Sequence, residues 1–203
     1  MLMPFVDGTG LDSKCDVLID VCNPSNGRPL LSLPVGCETD VNLAVASARI
    51  AFDDGRWSKI PPSLRKRALH RFADLILSNA HALDAMDAGE MGKPIGLAFA
   101  NAESAAGLMR FYAEAVDKLV GDVYASDVRS TFALRHVPRG VVAAIVPWNF
   151  PTYAAIIKIG PALAAGNCVV LKPSEMSSQA AIRLAELAIE AGMIKNALIV
   201  YGD

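Results

Sequence analysis

The chain has 203 residues, 53% of them hydrophobic and 20% charged, with a net charge of −2 at pH 7 and a sequence pI near 5.9. That length allows one domain or two small ones with a large core, and the faintly acidic balance excludes a basic field for nucleic acid or an anionic membrane surface. Cys15, Cys22, Cys37 and Cys168 have no metal-site spacing, no window approaches ~20 apolar residues, and MLMPFVDGTG carries no leader pattern, so a cytoplasmic chain with reduced thiols is expected.

Residues 1–34 are expected to contain short strands, Val17–Val21 and Leu30–Leu33, separated by the turn signal Asn23-Pro24-Ser25-Asn26-Gly27. A helix is predicted over 40–53, capped by Thr39, with Val41, Ala44, Val45, Ala48 and Phe52 on its apolar face. Trp57 reads as a packing residue in the loop that follows. Pro61-Pro62-Ser63 starts a second helix over 63–88, burying Leu64, Ala68, Phe72, Leu75, Ile76 and Leu83. On it, Arg65-Lys66-Arg67 reads as a solvated face, and His70 with Asp74 and His81 with Asp84 as surface or packing pairs. Gly89-Glu90-Met91-Gly92-Lys93-Pro94 breaks the pattern. It is not a phosphate loop, because two residues separate Gly from Gly-Lys where four are required. A third helix is predicted over 94–119, with Pro94 in its first turn and Gly121 beyond its end. Thr131–Val137 alternates and suits an exposed strand.

Val141–Val146 and Cys168–Leu171 are apolar runs bounded by Pro and Gly, and a small-residue helical stretch joins them. Such runs read as buried parallel strands, so this is a βαβ unit and the fold class is α/β. A last helix follows Ser177 or Ser178, turns Ile182, Leu184, Ala185, Ala188 and Ile189 inward, and stops at Gly192. Ala197–Tyr201 makes a third strand, whose apolar edge is expected to lie bare unless more chain covers it. In open parallel sheets ligands bind beyond the carboxyl ends of the strands. Asn149 stands past the first such end, and Lys172 and Glu175 at or past the second. A Lys that donates and a Glu that accepts, three residues apart, can share a ribose diol. The alternatives are that Asn149 only caps the following helix and that Lys172 and Glu175 form a surface ion pair. Cys168 opens a buried strand and reads as an inert core thiol. The dinucleotide fingerprint G-x-G-x-x-G is absent, since Ser13 stands where Gly8-Thr9-Gly10 would need its third Gly.

Three contiguous motifs, IVPWNFP at 145–151, KIGPALAAGN at 158–167 and VVLKPSE at 169–175, resemble the aldehyde dehydrogenase family. The similarity runs more loosely from about Asn23 to Gly192, with NPSNG resembling the family's NPxTG turn and GEMGKP its ExGKP loop. After Gly192, Ile194 and Asn196 replace the family's usual Pro and Gly. The resemblance implies a partial Rossmann-like parallel sheet with N-terminal helices and a protruding oligomerisation hairpin. Residues 1–121 would be the N-terminal part of a cofactor-binding domain, 122–140 the hairpin, and 141–203 the βαβ core. It implies that Asn149 donates to the tetrahedral oxyanion and that Lys172, Pro173, Ser174 and Glu175 hold the adenosine ribose. Ile145, Val146, Pro147 and Trp148 would line the cofactor, and Phe150, Ala154 and Ile157 the aldehyde tunnel. The implied cofactor is NAD, because Glu175 would repel a 2′-phosphate, with NADP left open. The implied partners are a small-molecule aldehyde and, in the full-length form, further copies of the chain. The segment RFYAEAVDKLVG at 110–121 looks most like members that oxidise amino-aldehydes.

In the family, a Cys thiolate attacks the aldehyde, hydride passes to the nicotinamide, and a Glu serves as base for hydrolysis. By resemblance both residues lie past the point where this sequence stops, and none of the four cysteines here matches. The chain alone is therefore expected to lack dehydrogenase activity. A reading from a different class is a non-catalytic module for nucleotide binding or oligomerisation.

Overall fold

The computed structural model describes residues 3–13, 17–98, 101–193, 195 and 198–200. In chain order these form β1 (Phe5–Val6), β2 (Thr9–Gly10), β3 (Leu18–Cys22) and β4 (Pro29–Pro34), then α1 (Glu38–Asp53), α2 (Pro62–Ser78), α3 (Ala80–Met91), α4 (Ile95–Ala98) and α5 (Asn101–Ala115). There follow β5 (Val123–Tyr124), β6 (Phe132–Ala133), β7 (Val141–Ile145), α6 (Pro151–Ala164), β8 (Cys168–Lys172), α7 (Gln179–Glu190) and β9 (Leu198–Val200). Cys15 and the expected ends of the third strand, Ala197 and Tyr201, lie outside the described residues, as do Ile194 and Asn196.

The main sheet runs β2-β1-β9-β8-β7, with β7, β8 and β9 parallel. This is the α/β arrangement expected of the apolar runs. Side chains alternate across a strand, so β8 faces two cores. Cys168 and Val170 lie with Ala44, Ala48 and Ala51 of α1. Val169 and Leu171 face the larger core, built with Ile156, Ile159 and Leu163 of α6 and Leu184 and Leu187 of α7. Leu69, Phe72 and Ile76 of α2 and Met109 of α5 close that core from outside.

The bare edge is not where the sequence suggested. β1 pairs antiparallel with β9, Phe5 opposite Val200, and β2 completes a hairpin over Asp7 and Gly8. Both turn residues have positive φ, 53° and 79°, the conformation that Asp-Gly supplies to a tight hairpin. The leading segment thus joins the main sheet, whose edge strands among the described residues are the two-residue β2 and, beside the parallel strands, β7.

Several local expectations shift for identifiable reasons. The helix expected over 63–88 is two helices, broken at Asn79 (φ −103°, ψ 11°), whose Nδ2 donates to the Leu75 carbonyl at 2.8 Å. The buried face of α2 includes Arg65 and Leu69, while Leu64 is exposed. Arg65 is no solvated cation: its Nε donates to Ala164 O at 3.0 Å and its NH1 to Trp57 O at 3.4 Å. Trp57 is buried as expected and donates Nε1 to Leu163 O at 3.1 Å. The two side chains donate to carbonyls in the last turn of α6, where Leu163 O also accepts from Gly166 N–H at 3.0 Å. α1 starts at Glu38 with Cys37 as its cap, not Thr39, because the Asp40 carboxylate accepts from Cys37 N–H at 3.2 Å. Val41 and Val45, expected inside, are exposed.

His70 meets Glu114 of α5 at 2.8 Å rather than Asp74, which instead accepts from Arg110 at 2.8 Å. Both contacts cross-link α2 to α5. Of the third predicted helix, the described residues show α4 and α5, and α5 ends at Ala115 rather than near Leu119. The strand expected over 131–137 shrinks to β6, paired with β5 in an exposed two-stranded hairpin.

Candidate functional site

The parallel register sets the site. Ile145, the last residue of β7, lies opposite Lys172, the last residue of β8, and Val146 N–H donates to Lys172 O at 3.1 Å. The two strands end level, and the loops at 147–150 and 173–178 leave side by side. Ser177 Oγ joins them by donating to Trp148 O at 3.2 Å. Asn149 and the Lys172–Glu175 segment therefore share one rim of the sheet.

Asn149 is exposed and its side chain makes no hydrogen bond among the described residues. The helix cap is Phe150, with Pro151 at the first helical position, where the missing N–H costs nothing. The capping role weighed for Asn149 is therefore not the one it plays here. Lys172 Nζ stands 4.0 Å from Glu175 Oε2, with both heads about a third exposed. A pair so wide and wet contributes about 0–1 kcal/mol to stability. Ser174 Oγ donates to Glu175 Oε2 at 3.3 Å and accepts from Met176 N–H at 3.3 Å, which folds the segment back on itself. Pro173 and Val146 are buried, whereas Ile145, Pro147 and Trp148 are exposed.

Phe150, Ala154 and Ile157 fall on one face at the start of α6, at intervals of four and three residues. Phe150 and Ile157 are exposed and Ala154 half-buried. Lys93 Nζ lies 5.2 Å from the centre of the Phe150 ring, within cation–π range. Gly92, just before it, has φ 74°, and a Cβ there would come within 2.6 Å of Pro24 Cγ. The glycine of GEMGKP thus serves a helix end packed on the NPSNG turn.

A cavity of about 400 Å³ opens between β3, the end of α3 and the two loops, lined by Val21, Pro24, Glu90, Met91, Trp148 and Glu175 among others. Of the sequence-predicted site residues, Trp148 and Glu175 line it, and Asn149 and Lys172 do not. Cys168 sits at the other end of β8, and burial pushes its thiol up to about 11. That thiol is inert at neutral pH.

Sequence reasoning passed over the acids of α3. Asp84, Asp87 and Glu90 are buried, and each accepts from a backbone N–H at the start of a different helix. Burial raises the carboxyls of Asp87 and Glu90 to about 7, against the hydrogen bonds from Thr152 and from Gln179 and Ser178. Their three-residue spacing was visible in the sequence, but such a stripe on a helix ordinarily faces water.

The aldehyde dehydrogenase family model matches residues 11–203. The chain belongs to the aldehyde dehydrogenase family. It is 40% identical over 197 residues to the NADP/NAD-dependent aldehyde dehydrogenase PuuC of Escherichia coli K12, covering 97% of this chain and 40% of that protein. The crystal structure of aldehyde dehydrogenase KauB from Pseudomonas aeruginosa superposes with a TM-score of 0.96 at 43% identity, over 98% of this chain and 41% of that one. An indole-3-acetaldehyde dehydrogenase solved with NAD+ gives 0.96 at 41% identity, with the same coverages of 98% and 41%. The family fold is thus shared closely, while the chain spans about two fifths of the length of these aldehyde dehydrogenases. Among the described residues no helix is long and apolar enough to cross a membrane, and no group of three His, Cys, Asp or Glu is placed to hold a metal ion.

Proposed function

We propose that this chain supplies the nucleotide cradle and the oxyanion donor for NAD(P)-dependent oxidation of an aldehyde to a carboxylic acid. The observation that carries the reading is the level ending of β7 and β8, which sets Asn149 beside Lys172 and Glu175 on one rim. The donor set suits a dinucleotide: one ammonium and one carboxylate for a ribose diol, with exposed backbone and apolar surface at Ile145, Pro147 and Trp148. When bound, NAD supplies the hydride acceptor. Lys172 and Glu175 orient its ribose, and Glu175 disfavours a 2′-phosphate. The Asn149 amide, with no partner of its own among the described residues, donates to the developing oxyanion, a contact worth about 2.7–4 kcal/mol in comparable sites. Phe150, Ala154 and Ile157 offer the aldehyde an apolar wall.

The chain by itself binds nucleotide without turnover: Cys168 is buried at the far end of β8, Cys37 caps α1, and although Cys22 lines the cavity with Trp148 and Glu175, none of the cysteines matches the family's nucleophile by resemblance. Calorimetric titration of the 203-residue chain with NAD+ tests the cradle, and an aldehyde-dependent rise in NADH absorbance tests the second statement. No NAD+ binding refutes the first; turnover refutes the second.

The hairpin favours an additional role in association. Val123 is 76% exposed and Phe132 62%, and Leu134 and Val137 beside them are exposed as well. Such an apolar cluster on the surface suits burial against a further copy of the chain. Sedimentation of the wild type against Phe132→Lys tests this: the variant shifts toward monomer, and equal distributions refute it.

A further inference from the structure

Helix α3 crosses the N-termini of three other helices. Asp84, Asp87 and Glu90 stand three residues apart, hence on one face, and are 2%, 0% and 3% exposed. Asp84 Oδ1 accepts Ala102 N–H of α5 at 3.0 Å. Asp87 accepts the Thr152 hydroxyl at 3.0 Å and its N–H at 3.3 Å, at the start of α6. Glu90 accepts Ser178 N–H and Gln179 N–H, each at 3.2 Å, at the start of α7. The first N–H groups of a helix have no acceptor within it and carry partial positive charge. Neither Phe150 nor Ser178, the cap residues of α6 and α7, supplies a side-chain cap. The acids of α3 take that place from a distance.

Two of these anchors adjoin the segments that carry the proposed ligand contacts. Thr152 follows Asn149 closely in the chain, and Ser178 ends the loop that contains Glu175. Glu90 also lines the cavity that Trp148 and Glu175 border. Both loops leave level strand ends and finish on a single rigid element. We infer that Glu90 and Asp87 are positioning residues: from one helix they set the Lys172–Glu175 segment and Asn149 at a fixed separation. The ribose of the dinucleotide and the oxyanion of the aldehyde then meet groups already in register. The inference rests on the reading given under Proposed function, and neither residue touches the ligand.

The test uses the 203-residue chain with Glu90→Leu, Glu90→Gln and Asp87→Leu, read by AMP affinity and by hydrogen exchange at single amides. AMP engages only the ribose end. Glu90→Leu weakens AMP about tenfold, the worth of a lost cap, and speeds exchange at Ser178 and Gln179. Glu90→Gln, with one acceptor in place of two, stays within about threefold in affinity and speeds exchange at the same amides to a smaller degree. Asp87→Leu leaves AMP affinity unchanged and speeds exchange at Thr152. Equal AMP affinity for folded Glu90→Leu and wild type overturns the inference, as does equal weakening by Glu90→Leu and Asp87→Leu, which marks general destabilisation. If Glu90→Leu does not fold, Glu90→Gln decides, and unchanged exchange at Ser178 and Gln179 is the overturning result. If the wild type binds no AMP or NAD+, the functional reading fails. The anchoring then stands or falls on whether faster exchange is confined to the named amides.

Discussion

Raising the pH from 5 to 8 should weaken this fold, the reverse of what paired surface carboxylates produce. Asp87 and Glu90 lose their protons near pH 7 in the folded chain, against usual values of 3.8 and 4.5. The dominant cause is burial, which disfavours the charged form. Between about pH 4 and 7 the folded state binds more protons than the unfolded one, so unfolding free energy falls as pH rises. The contribution is full below about 4 and lost once pH passes about 7. At about 1.4 kcal/mol per pH unit of difference, the upper bounds are about 4 kcal/mol for Asp87 and about 3 kcal/mol for Glu90. The exposed acids act elsewhere: Lys66, His70 and Lys118 hold Glu114 down to about 2, so its contribution vanishes only in stronger acid. Urea unfolding at pH 5, 6, 7 and 8 gives the slope directly, provided the m-value stays constant. Asp87→Asn and Glu90→Gln remove one titrating group each and should flatten the profile by their share. A wild-type profile that is level or rising from pH 5 to 8 would defeat the reasoning, as would a variant that keeps the full slope.

Trp57→Phe keeps an aromatic ring in the core but removes the Nε1 donor to the Leu163 carbonyl, which retains Gly166 N–H, and should cost about 0.5–1.5 kcal/mol in urea unfolding with NAD+ affinity unchanged. Gly160→Ala places a Cβ 2.6 Å from Tyr112 Cδ2, forcing α5 from α6; a loss of about 1–3 kcal/mol is expected, and an unchanged melting temperature would show that Tyr112 moves freely. Lys172→Met should weaken NAD+ binding about tenfold by calorimetry while leaving the unfolding midpoint within about 0.5 kcal/mol, since its pair with Glu175 is wide and wet.

The site was legible where chemistry is local. IVPWNFP and VVLKPSE mark both strand ends, and the structure puts Asn149, Lys172 and Glu175 on a common rim. Phe150, Ala154 and Ile157 share a helix face, as their spacing requires. The cavity and the acids of α3 were not legible. Glu90 looked like part of a loop that breaks a helix, and Asp84 like a surface partner of His81.

By itself the sequence determined the βαβ unit, because a parallel pair needs a crossover helix; of the two runs read as buried strands only β8 is covered on both faces, while Ala143 and Ile145 of β7 are exposed. Periodicity likewise placed helical stretches near 40–53, 63–88 and 94–119, though not the break at Asn79. Only the tertiary structure decided that β1 covers β9, that Arg65 is buried, and that α3 holds the starts of three helices. The reason is the same in each case: a backbone edge or a charge is tolerated inside only when a partner far away in the chain satisfies it, and no local pattern records that partner.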